Sequence, residues 1–253
     1  MVDLHCHILP GVDDGAQSLA DSLAMAKAAE QEGIRTIYAT PHHQTSRYMN
    51  EKAAVVQKVQ QLNEYLQSQS VNVTIMPGQE VRIYGDIVSD YEAGEIITLG
   101  EKYVLIEFPS NHVPKYATQI LFDLQLKGIT PIIVHPERNS QIIENPEILY
   151  HLVNEGAATQ VTAGSVSGQF GKKIQKFSLD LIEANLTHFI ASDAHNVSTR
   201  SFKMVDAFEQ IDKKFGGDFI HLFKQNAQFV LEGNDIDRDI PQLVKKKKFL
   251  GIF

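Results

Sequence analysis

The chain has 253 residues, of which 43% are hydrophobic and 21% are charged, and its formal net charge at pH 7 is −8. This balance is typical of a globular protein with enough apolar material for a core. The acidic charge argues against a general nucleic-acid binder, which needs a basic stripe to neutralise phosphates. The sequence lacks an apolar run of about eighteen residues and a basic segment followed by an apolar stretch at its start, so we expect no membrane span, no signal peptide and a cytoplasmic location.

Length, cysteine content and the C-terminal end set further limits. The length fits one α/β barrel domain over residues 1–253. Cys6 is the single cysteine, so no disulfide can form within the chain and the core must hold the fold. The basic run from Lys245 to Lys248 predicts a short solvated tail over about 245–253, with contact to an acidic partner or an anionic membrane surface as the alternative.

Apolar, β-branched runs alternate with helical patterns along the chain. The opening VDLHCH predicts a strand. A helix is predicted after it: Ser18 can cap its start, Asp21 completes a capping-box pattern, and Gly33 is expected to end it. Further strands are predicted at TIYATPH, NVTIMPGQE, YVLIEF, TPIIVH, ATQVTAG and HFIASDAH. Helices are predicted over roughly 50–69, 115–127, 146–155, 173–185, 201–214 and 217–225. About seven strands alternating with helices indicate an α/β fold with a parallel sheet.

Most of the predicted strands end in a side chain that can bind a metal. In a parallel barrel these strand ends meet on one face, and residues two apart on a strand point the same way. The candidate side chains offer imidazole and carboxylate groups but no thiolate, which suits manganese, iron, zinc or magnesium. Their number exceeds the needs of one ion and predicts two or three. The candidate ligands are His5, His7, Asp14, His42, Glu80, Glu107, His135, Asp193 and His195.

Each candidate ligand also has an ordinary explanation when it is taken alone. His42 can be a surface neighbour of His43, Asp14 can stabilise the DDG turn, and a carboxylate at a strand end can cap a helix. Cys6 points away from its histidine neighbours and is interpreted as a small buried hydrophobe. The coincidence at six strand ends nevertheless favours a shared metal site. Four further histidines, His112, His151, His188 and His221, lie in predicted helices or loops and are interpreted as having no metal-binding role.

Six motifs in a fixed order resemble a known family. DLHCHILPGVDDG, TPHH, GQE, IEF, HPER and SDAH, together with NAQFVLEGN near the end, are similar to the PHP (polymerase and histidinol phosphatase) family. They look most like its branch of bacterial manganese-dependent protein-tyrosine phosphatases encoded with capsule and exopolysaccharide genes. The resemblance spans essentially the whole chain. It implies a distorted (β/α)7 TIM-like barrel, a trinuclear metal centre, and phosphotyrosine on a bacterial tyrosine kinase that regulates polysaccharide synthesis as the substrate.

The resemblance also implies how the ligands divide among the ions. One ion would be bound by His5, His7, Glu80 and Asp193, and a second by Glu80 as a bridge with Glu107 and His135. A third would be bound by Asp14, His42 and His195. The spacing between the first histidine pair and the acid varies in this family, and we choose Asp14 over Asp13.

The expected mechanism is attack by a metal-bound hydroxide on the phosphorus, with in-line departure of phenolate. Because the phenol of tyrosine has a pKa near 10, a strong general acid is dispensable. Arg138 is the candidate that grips the phosphate, with a surface salt bridge as its alternative explanation, and His42 is the second candidate for a catalytic role. Supplementary candidates are Arg47, Arg82 and Arg200 for the phosphate and Phe108 with Pro109 as an apolar wall for the tyrosyl ring.

Several rival functions can be compared with this prediction. Cysteine-dependent tyrosine phosphatases require His-Cys, five residues and an arginine; His5-Cys6 begins that pattern, but Val12 occupies the arginine position. A small-molecule phosphatase of the histidinol phosphate type and a non-catalytic protein that binds the kinase tail both stay open. A metal-dependent nuclease is disfavoured by the acidic charge. The physiological metal and the oligomeric state are not predicted.

Overall fold

Parallel strands and helices alternate through residues 1–245, the part of the chain that this computed structural model describes. The strands are β1 (Val2–Cys6), β2 (Thr36–Ala39), β3 (His42–His43), β4 (Thr74–Pro77), β5 (Glu80–Arg82), β6 (Tyr103–Glu107), β7 (Thr130–Val134), β8 (Ala158–Thr162) and β9 (Phe189–Ala191). The helices are α1 (Leu19–Gln31), α2 (Lys52–Ser68), α3 (Ile87–Glu92), α4 (Ala117–Leu126), α5 (Ser140–Glu144), α6 (Glu147–Asn154), α7 (Ala163–Ser167), α8 (Lys172–Glu183), α9 (Met204–Phe215) and α10 (Gly217–Leu231), and a 3₁₀ turn covers Pro136–Arg138.

The strands form two sheets in which every pair is parallel. One sheet has the order β1-β2-β4 and the other has the order β3-β5-β6-β7-β8-β9. The prediction of an α/β fold with parallel strands is therefore confirmed. Two predicted strands were wrong in extent, because TIYATPH is divided into β2 and β3 and NVTIMPGQE is divided into β4 and β5. Pro41 has no N–H group for the ladder, which explains the first break.

Backbone hydrogen bonds connect the two sheets where their strands end. The N–H of His7 donates to the carbonyl of Ala194 over 2.9 Å, and the N–H of Asp193 donates to the carbonyl of His5 over 2.8 Å. At the breaks, the N–H of Gly78 donates to Ala39 over 2.9 Å and that of Glu80 donates to Pro41 over 3.1 Å. These bonds bring the carboxyl ends of the strands together, although the ends belong to two sheets.

Both faces of the strands are buried, with a period of two residues. In β6, Tyr103 and Leu105 pack in an apolar cluster with Phe189 and Val230, whereas Val104 and Ile106 pack in a second cluster that includes the helices. Successive side chains of a strand point to opposite faces. Glu107 therefore continues the face of Tyr103 and Leu105 at the carboxyl end of the strand.

The predicted helices are found, with differences at their ends. Ser18 caps α1 by accepting a hydrogen bond from the N–H of Asp21 over 3.2 Å, as predicted. The carboxylate of Asp21 accepts from the Ser18 hydroxyl over 2.8 Å and from the N–H of Gln17 over 3.2 Å. Helix α10 extends past its predicted end to Leu231, because Ala227 and Val230 continue its buried face. The short helices α3, α5 and α7 were not predicted.

Two predictions concern the C-terminal end and membranes. The ammonium group of Lys245 lies 3.3 Å from a carboxylate oxygen of Glu183. Lys246, Lys247 and Lys248 lie outside the described residues. Within residues 1–245, no helix combines the length and the apolar character needed to cross a bilayer.

Candidate metal centre

Four side chains converge at the ends of β1, β5 and β9. His5 lies in β1 and His7 directly follows it, while Glu80 begins β5 and Asp193 follows β9. The Nε2 atoms of His5 and His7 are 3.2 Å apart, and both lie between 3.4 and 3.6 Å from Glu80 Oε2 and from Asp193 Oδ1. Ligand atoms ~2.1 Å from one ion in a tetrahedral arrangement lie ~3.4 Å from one another. The spacing of these four side chains therefore fits a single ion.

Glu80 also contacts a second group of candidate ligands. Its Oε1 lies 2.7 Å from Nε2 of His135, and its Oε2 lies 2.7 Å from Nδ1 of His42. The same His42 nitrogen is 3.8 Å from Oε2 of Glu107. The two oxygens of Glu80 thus face different partners, as the carboxylate of a bridging ligand would.

The third group lies on the other side of His42. Oδ1 of Asp14 is 3.4 Å from Nε2 of His42 and 3.4 Å from Nε2 of His195. Ligand atoms of His7, Asp14, His42 and His195 all lie within 4.8 Å of one another. All nine predicted ligands therefore lie in one contiguous cluster.

Three of these ligands, Asp193, His195 and His135, lie beyond the ends of their strands, so their predicted strand geometry was wrong. Strand β9 ends at Ala191, and Asp193 has a left-handed backbone with φ of 50°. His195 is held by its N–H, which donates to the carbonyl of Arg200 over 2.9 Å. His135 also follows its strand, with φ of 37°. Backbone conformations with positive φ are uncommon for residues other than glycine, so the tertiary contacts of these loops must hold them.

Unsatisfied buried atoms test whether these residues fit a metal. His42 Nδ1, Glu80 Oε2, Glu107 Oε2 and His195 Nε2 are buried and make no hydrogen bond; His42 Nδ1 and Glu80 Oε2 are close but lack hydrogen-bond geometry. A buried polar atom without a partner is costly. These four unpartnered atoms lie within the same cluster and belong to imidazole and carboxylate groups, which are the groups that bind divalent ions. The cluster therefore fits a metal centre.

The carboxylates of the cluster differ in charge state. Although burial acts against it, the neighbouring His5 and other cationic groups hold the pKa of Glu80 well below its usual range, and Arg138 does the same for Asp193. The nearby imidazoles of His195 and His42, each 3.4 Å from its Oδ1, lower the pKa of Asp14. Burial and repulsion from Glu80 instead raise the pKa of Glu107 to about 7. A cation at this position would relieve that repulsion.

The histidines divide in the same way. Burial lowers the pKa of His135 to about 4, helped by Arg138, and lowers the pKa of His195 to about 4, helped by His7. Burial acts to lower the pKa of His42, but Glu80 and Asp14 outweigh it and raise that pKa to about 10. His135 and His195 are thus neutral at pH 7, which is the form that binds a metal.

The cluster opens into a cavity of about 330 Å³. Arg138 and Arg200 line it, and their Nη2 atoms lie 2.5 Å and 3.0 Å from the same oxygen, Oδ2 of Asp193. Arg82 pairs with Glu107 over 2.9 Å. Phe108 lines the cavity as well as packing in the core. Of the supplementary candidates, Arg47, Arg82 and Pro109 are not among the residues that line it.

Two contacts of the cluster were missed in the sequence. Oε1 of Gln160 lies 2.9 Å from Nδ1 of His5, and since an amide oxygen only accepts, that nitrogen carries the proton and donates it to Gln160. The ring of Tyr48 lies nearly parallel to that of His42, with 5.9 Å between centroids. A signal existed for Gln160, because it is an amide in the middle of a predicted buried strand, and a buried amide needs hydrogen-bond partners.

Fold and site together define a class of protein, in which a parallel α/β scaffold carries a cluster of metal-type ligands at one edge of its sheets. The chain belongs to the CpsB/CapC family of capsular polysaccharide synthesis, whose model matches residues 1–232. It is 52% identical over 254 residues to the tyrosine-protein phosphatase YwqE of Bacillus subtilis (strain 168), with all of both chains covered. It is 31% identical over 222 residues to the tyrosine-protein phosphatase CpsB of Streptococcus pneumoniae, with 85% of this chain and 91% of CpsB covered.

Solved structures agree with this membership. The chain matches a crystal structure with a TM-score of 0.95 and 51% identity. That structure belongs to a set of YwqE from Bacillus subtilis and CpsB from Streptococcus pneumoniae, which are described as unique metal-dependent tyrosine phosphatases. The match covers 97% of this chain and 100% of that one. A TatD-like protein from Archaeoglobus fulgidus matches with a TM-score of 0.52 and 14% identity, over 91% and 99% of the two chains, which indicates a shared fold alone.

Proposed function

We propose that the protein is a metal-dependent protein-tyrosine phosphatase. Its proposed substrate is phosphotyrosine on a bacterial tyrosine kinase that regulates capsule or exopolysaccharide synthesis. The observation that carries the proposal is the ligand cluster opening into a cavity lined by Arg138 and Arg200. The names of the relatives as tyrosine-protein phosphatases support the choice of phosphotyrosine.

We assign three ligand sets to divalent ions, with manganese as the first choice. The first set is His5, His7, Glu80 and Asp193, the second is Glu80, Glu107 and His135, and the third is Asp14, His42 and His195. The chemistry that bound ions supply in such a site is Lewis acidity and an activated water nucleophile. The distances between the ligand atoms support the first set most directly.

The chain's own cations would bind the phosphate. Arg138 and Arg200 are held side by side by Asp193, and planar guanidinium groups form paired, charge-assisted hydrogen bonds with phosphate oxygens. Local positive charge in a cavity also steers an anionic substrate towards a protein whose net charge is negative. We propose that Arg138 makes the principal contact.

Two other residues of the cavity would contact the tyrosyl group. Phe108 offers an apolar wall for the ring. His42 lines the cavity, and its two ring nitrogens face Asp14 and Glu80. We therefore propose that His42 is a metal ligand that also contacts the substrate. Because phenolate is a tolerable leaving group, no strong general acid is required.

We further propose that the two sheets form one distorted (β/α)7 barrel and a single domain over residues 1–253. Counting β2 with β3 and β4 with β5 as interrupted strands leaves seven, and the hydrogen bonds between the residues that follow β9 and the end of β1 would close the ring. We also propose a cytoplasmic location, because the proposed substrate is a tyrosine kinase and a kinase phosphorylates its tyrosines where ATP is available, in the cytoplasm.

Hydrolysis of a phosphotyrosine peptide by the purified protein tests the proposed function. We expect activity to be lost after chelation, to return with manganese, to be absent in His135→Ala and to fall strongly in Arg138→Ala. Arg35→Ala is the matched control, because Arg35 precedes β2 at the opposite edge of the sheet, and it should act like the wild type. Phosphoserine peptide and histidinol phosphate complete the comparison. Faster turnover of histidinol phosphate would replace the proposal with a metabolite phosphatase, and no turnover with any metal would favour a binding protein.

A further inference from the structure

We propose that Asp13 is a positioning residue of the metal centre. Its carboxylate holds the His7 ring with the proton on Nδ1, so that Nε2 presents its lone pair to the ion, while the neighbouring Asp14 is the ligand. The inference rests on the proposed metal centre, but not on the identity of the substrate. It gives the two adjacent aspartates different roles.

The contacts of the two carboxylates differ completely. Asp13 is 5% exposed; its Oδ2 accepts from Nδ1 of His7 over 2.7 Å and from the N–H of His42 over 3.2 Å, and its Oδ1 accepts from the N–H of Gly15 over 2.9 Å. The side chain of Asp14 is 50% exposed, and its Oδ1 faces two Nε2 atoms. Among residues 1–245, none of the three groups of candidate metal ligands includes Asp13. Both oxygens of Asp13 are therefore occupied by N–H donors.

The turn after Asp13 also holds the backbone of His7. The N–H of Ala16 donates to the carbonyl of His7 over 3.0 Å. A Cβ atom at Gly15 would lie 2.1 Å from that carbonyl oxygen, so this close approach requires glycine. Residues 13–16 therefore hold His7 at its ring and at its main chain. The same contacts fix the chain direction that places Asp14 over the ligand cluster.

The chemistry of the Asp13 side chain decides the tautomer of His7. An ionised carboxylate only accepts hydrogen bonds, so Nδ1 of His7 must be the donor and Nε2 carries the free lone pair. Histidine ligands in metal sites commonly donate their second N–H in this way. Asparagine at this position keeps the shape but adds an amide donor. With its Oδ1 on Gly15, that amide would donate to Nδ1 of His7 and move the ring proton to Nε2, where it competes with the metal.

Nitrogen NMR of the histidine rings in the metal-free protein tests the tautomer directly at a pH high enough to deprotonate His7, because burial lowers the pKa of His7 but Asp13 outweighs it and raises that pKa well above its usual value. We expect the wild type to carry the neutral His7 proton on Nδ1 and Asp13→Asn to carry it on Nε2. Asp13→Ser, which leaves room for a water that accepts the same N–H, should keep the wild-type tautomer. An unchanged His7 tautomer in Asp13→Asn would overturn the proposal, and a purely structural role for Asp13 would leave this spectrum unaltered.

Manganese binding, measured by competition with a chelator and by metal content at saturation, tests the consequence. We expect Asp13→Asn to weaken binding about 10–100-fold with the number of ions unchanged. Asp13→Ser should weaken it less, and Asp21→Asn, which alters an exposed carboxylate nearby, should leave it unchanged. Loss of an ion at saturation in Asp13→Asn would make Asp13 a ligand, and unchanged affinity would reduce it to a structural residue. Either result contradicts the proposal, whereas absence of phosphatase activity would not.

Discussion

Two histidines at opposite ends of β9 have similar pKa values for different reasons. His188 precedes the strand and His195 follows it, and burial lowers the pKa of His188 to about 3 and that of His195 to about 4. Nδ1 of His188 accepts a hydrogen bond from the N–H of Thr159 over 3.1 Å. Nε2 of His195 is buried without a hydrogen bond and faces Asp14. A lowered pKa therefore does not separate the two histidines, whereas the contacts of their ring nitrogens do, because only that of His195 faces a candidate ligand.

The same contrast extends along the two edges of the strands. At the amino edge, Tyr103 and Phe189 pack with Ala227 and Val230 of α10 in an apolar cluster. At the carboxyl edge, the strands lead into imidazoles and carboxylates, and four of their buried ligand atoms lack hydrogen bonds. Substitutions at the amino edge should therefore change the free energy of unfolding, and those at the carboxyl edge should change metal binding and turnover.

The largest effect is expected at Glu80, which contacts ligands of two proposed ions. Glu80→Gln keeps the size of the side chain but removes the charge, so turnover of a phosphotyrosine peptide should fall more than about 1,000-fold, or ~4 kcal/mol in the activation barrier. Metal content at saturation should fall as well. Full metal content with normal turnover would remove Glu80 from the proposed centre.

At the amino edge, Phe189→Ala should mainly affect stability. Phe189 is fully buried, and truncation of a buried phenylalanine costs about 3 kcal/mol. Urea unfolding measures this loss, and turnover per folded molecule at low temperature should stay within about threefold of the wild type. Phe122→Ala is the control, because Phe122 is 51% exposed and should cost little. A loss of turnover at full folding would contradict the division between the edges.

His188 should make stability depend on pH. Its folded-state pKa of about 3 lies below the unfolded value of about 6.5, so the unfolded chain binds the proton first and stability is lost as pH falls below about 6.5. This group alone should cost about 2 kcal/mol between pH 7 and pH 5. His188→Asn, which retains an acceptor for Thr159, should remove that component from unfolding measured with chelator present. The exposed His221→Asn should not, and equal pH slopes in the wild type and His188→Asn would refute the assignment.

The smallest effect is expected at Ser18, which caps α1 near the carboxyl edge. Ser18→Ala removes the acceptor for the N–H of Asp21 and should lower the free energy of unfolding by about 1 kcal/mol. Manganese affinity should not change, because Ser18 does not contact a candidate ligand directly. Thermal unfolding with and without manganese measures both. Weaker metal binding in this variant would mean that the α1 cap also positions the turn from Asp13 to Gly15.

Local patterns determined much of this protein. The alternation of apolar runs with helical patterns predicted parallel strands and most of the long helices, because hydrophobic period and capping act within a few residues. His5, Glu80, Glu107 and His135 stand at the ends of predicted strands, and this predicted that they would meet, since parallel strands present their carboxyl ends on one side; in the structure Glu80 begins β5, after the break that follows β4. The ligand roles themselves stay proposals.

Tertiary structure decided the rest, because it depends on contacts between distant parts of the chain. Asp193 has a positive φ and pairs with His5, 188 residues earlier, and no local pattern predicts that contact. The pairing of Gln160 with His5 is likewise a contact across 155 positions. Asp13 and Asp14 are chemically identical in the sequence, and only the folded turn buries one against His7 and leaves the other facing His42 and His195.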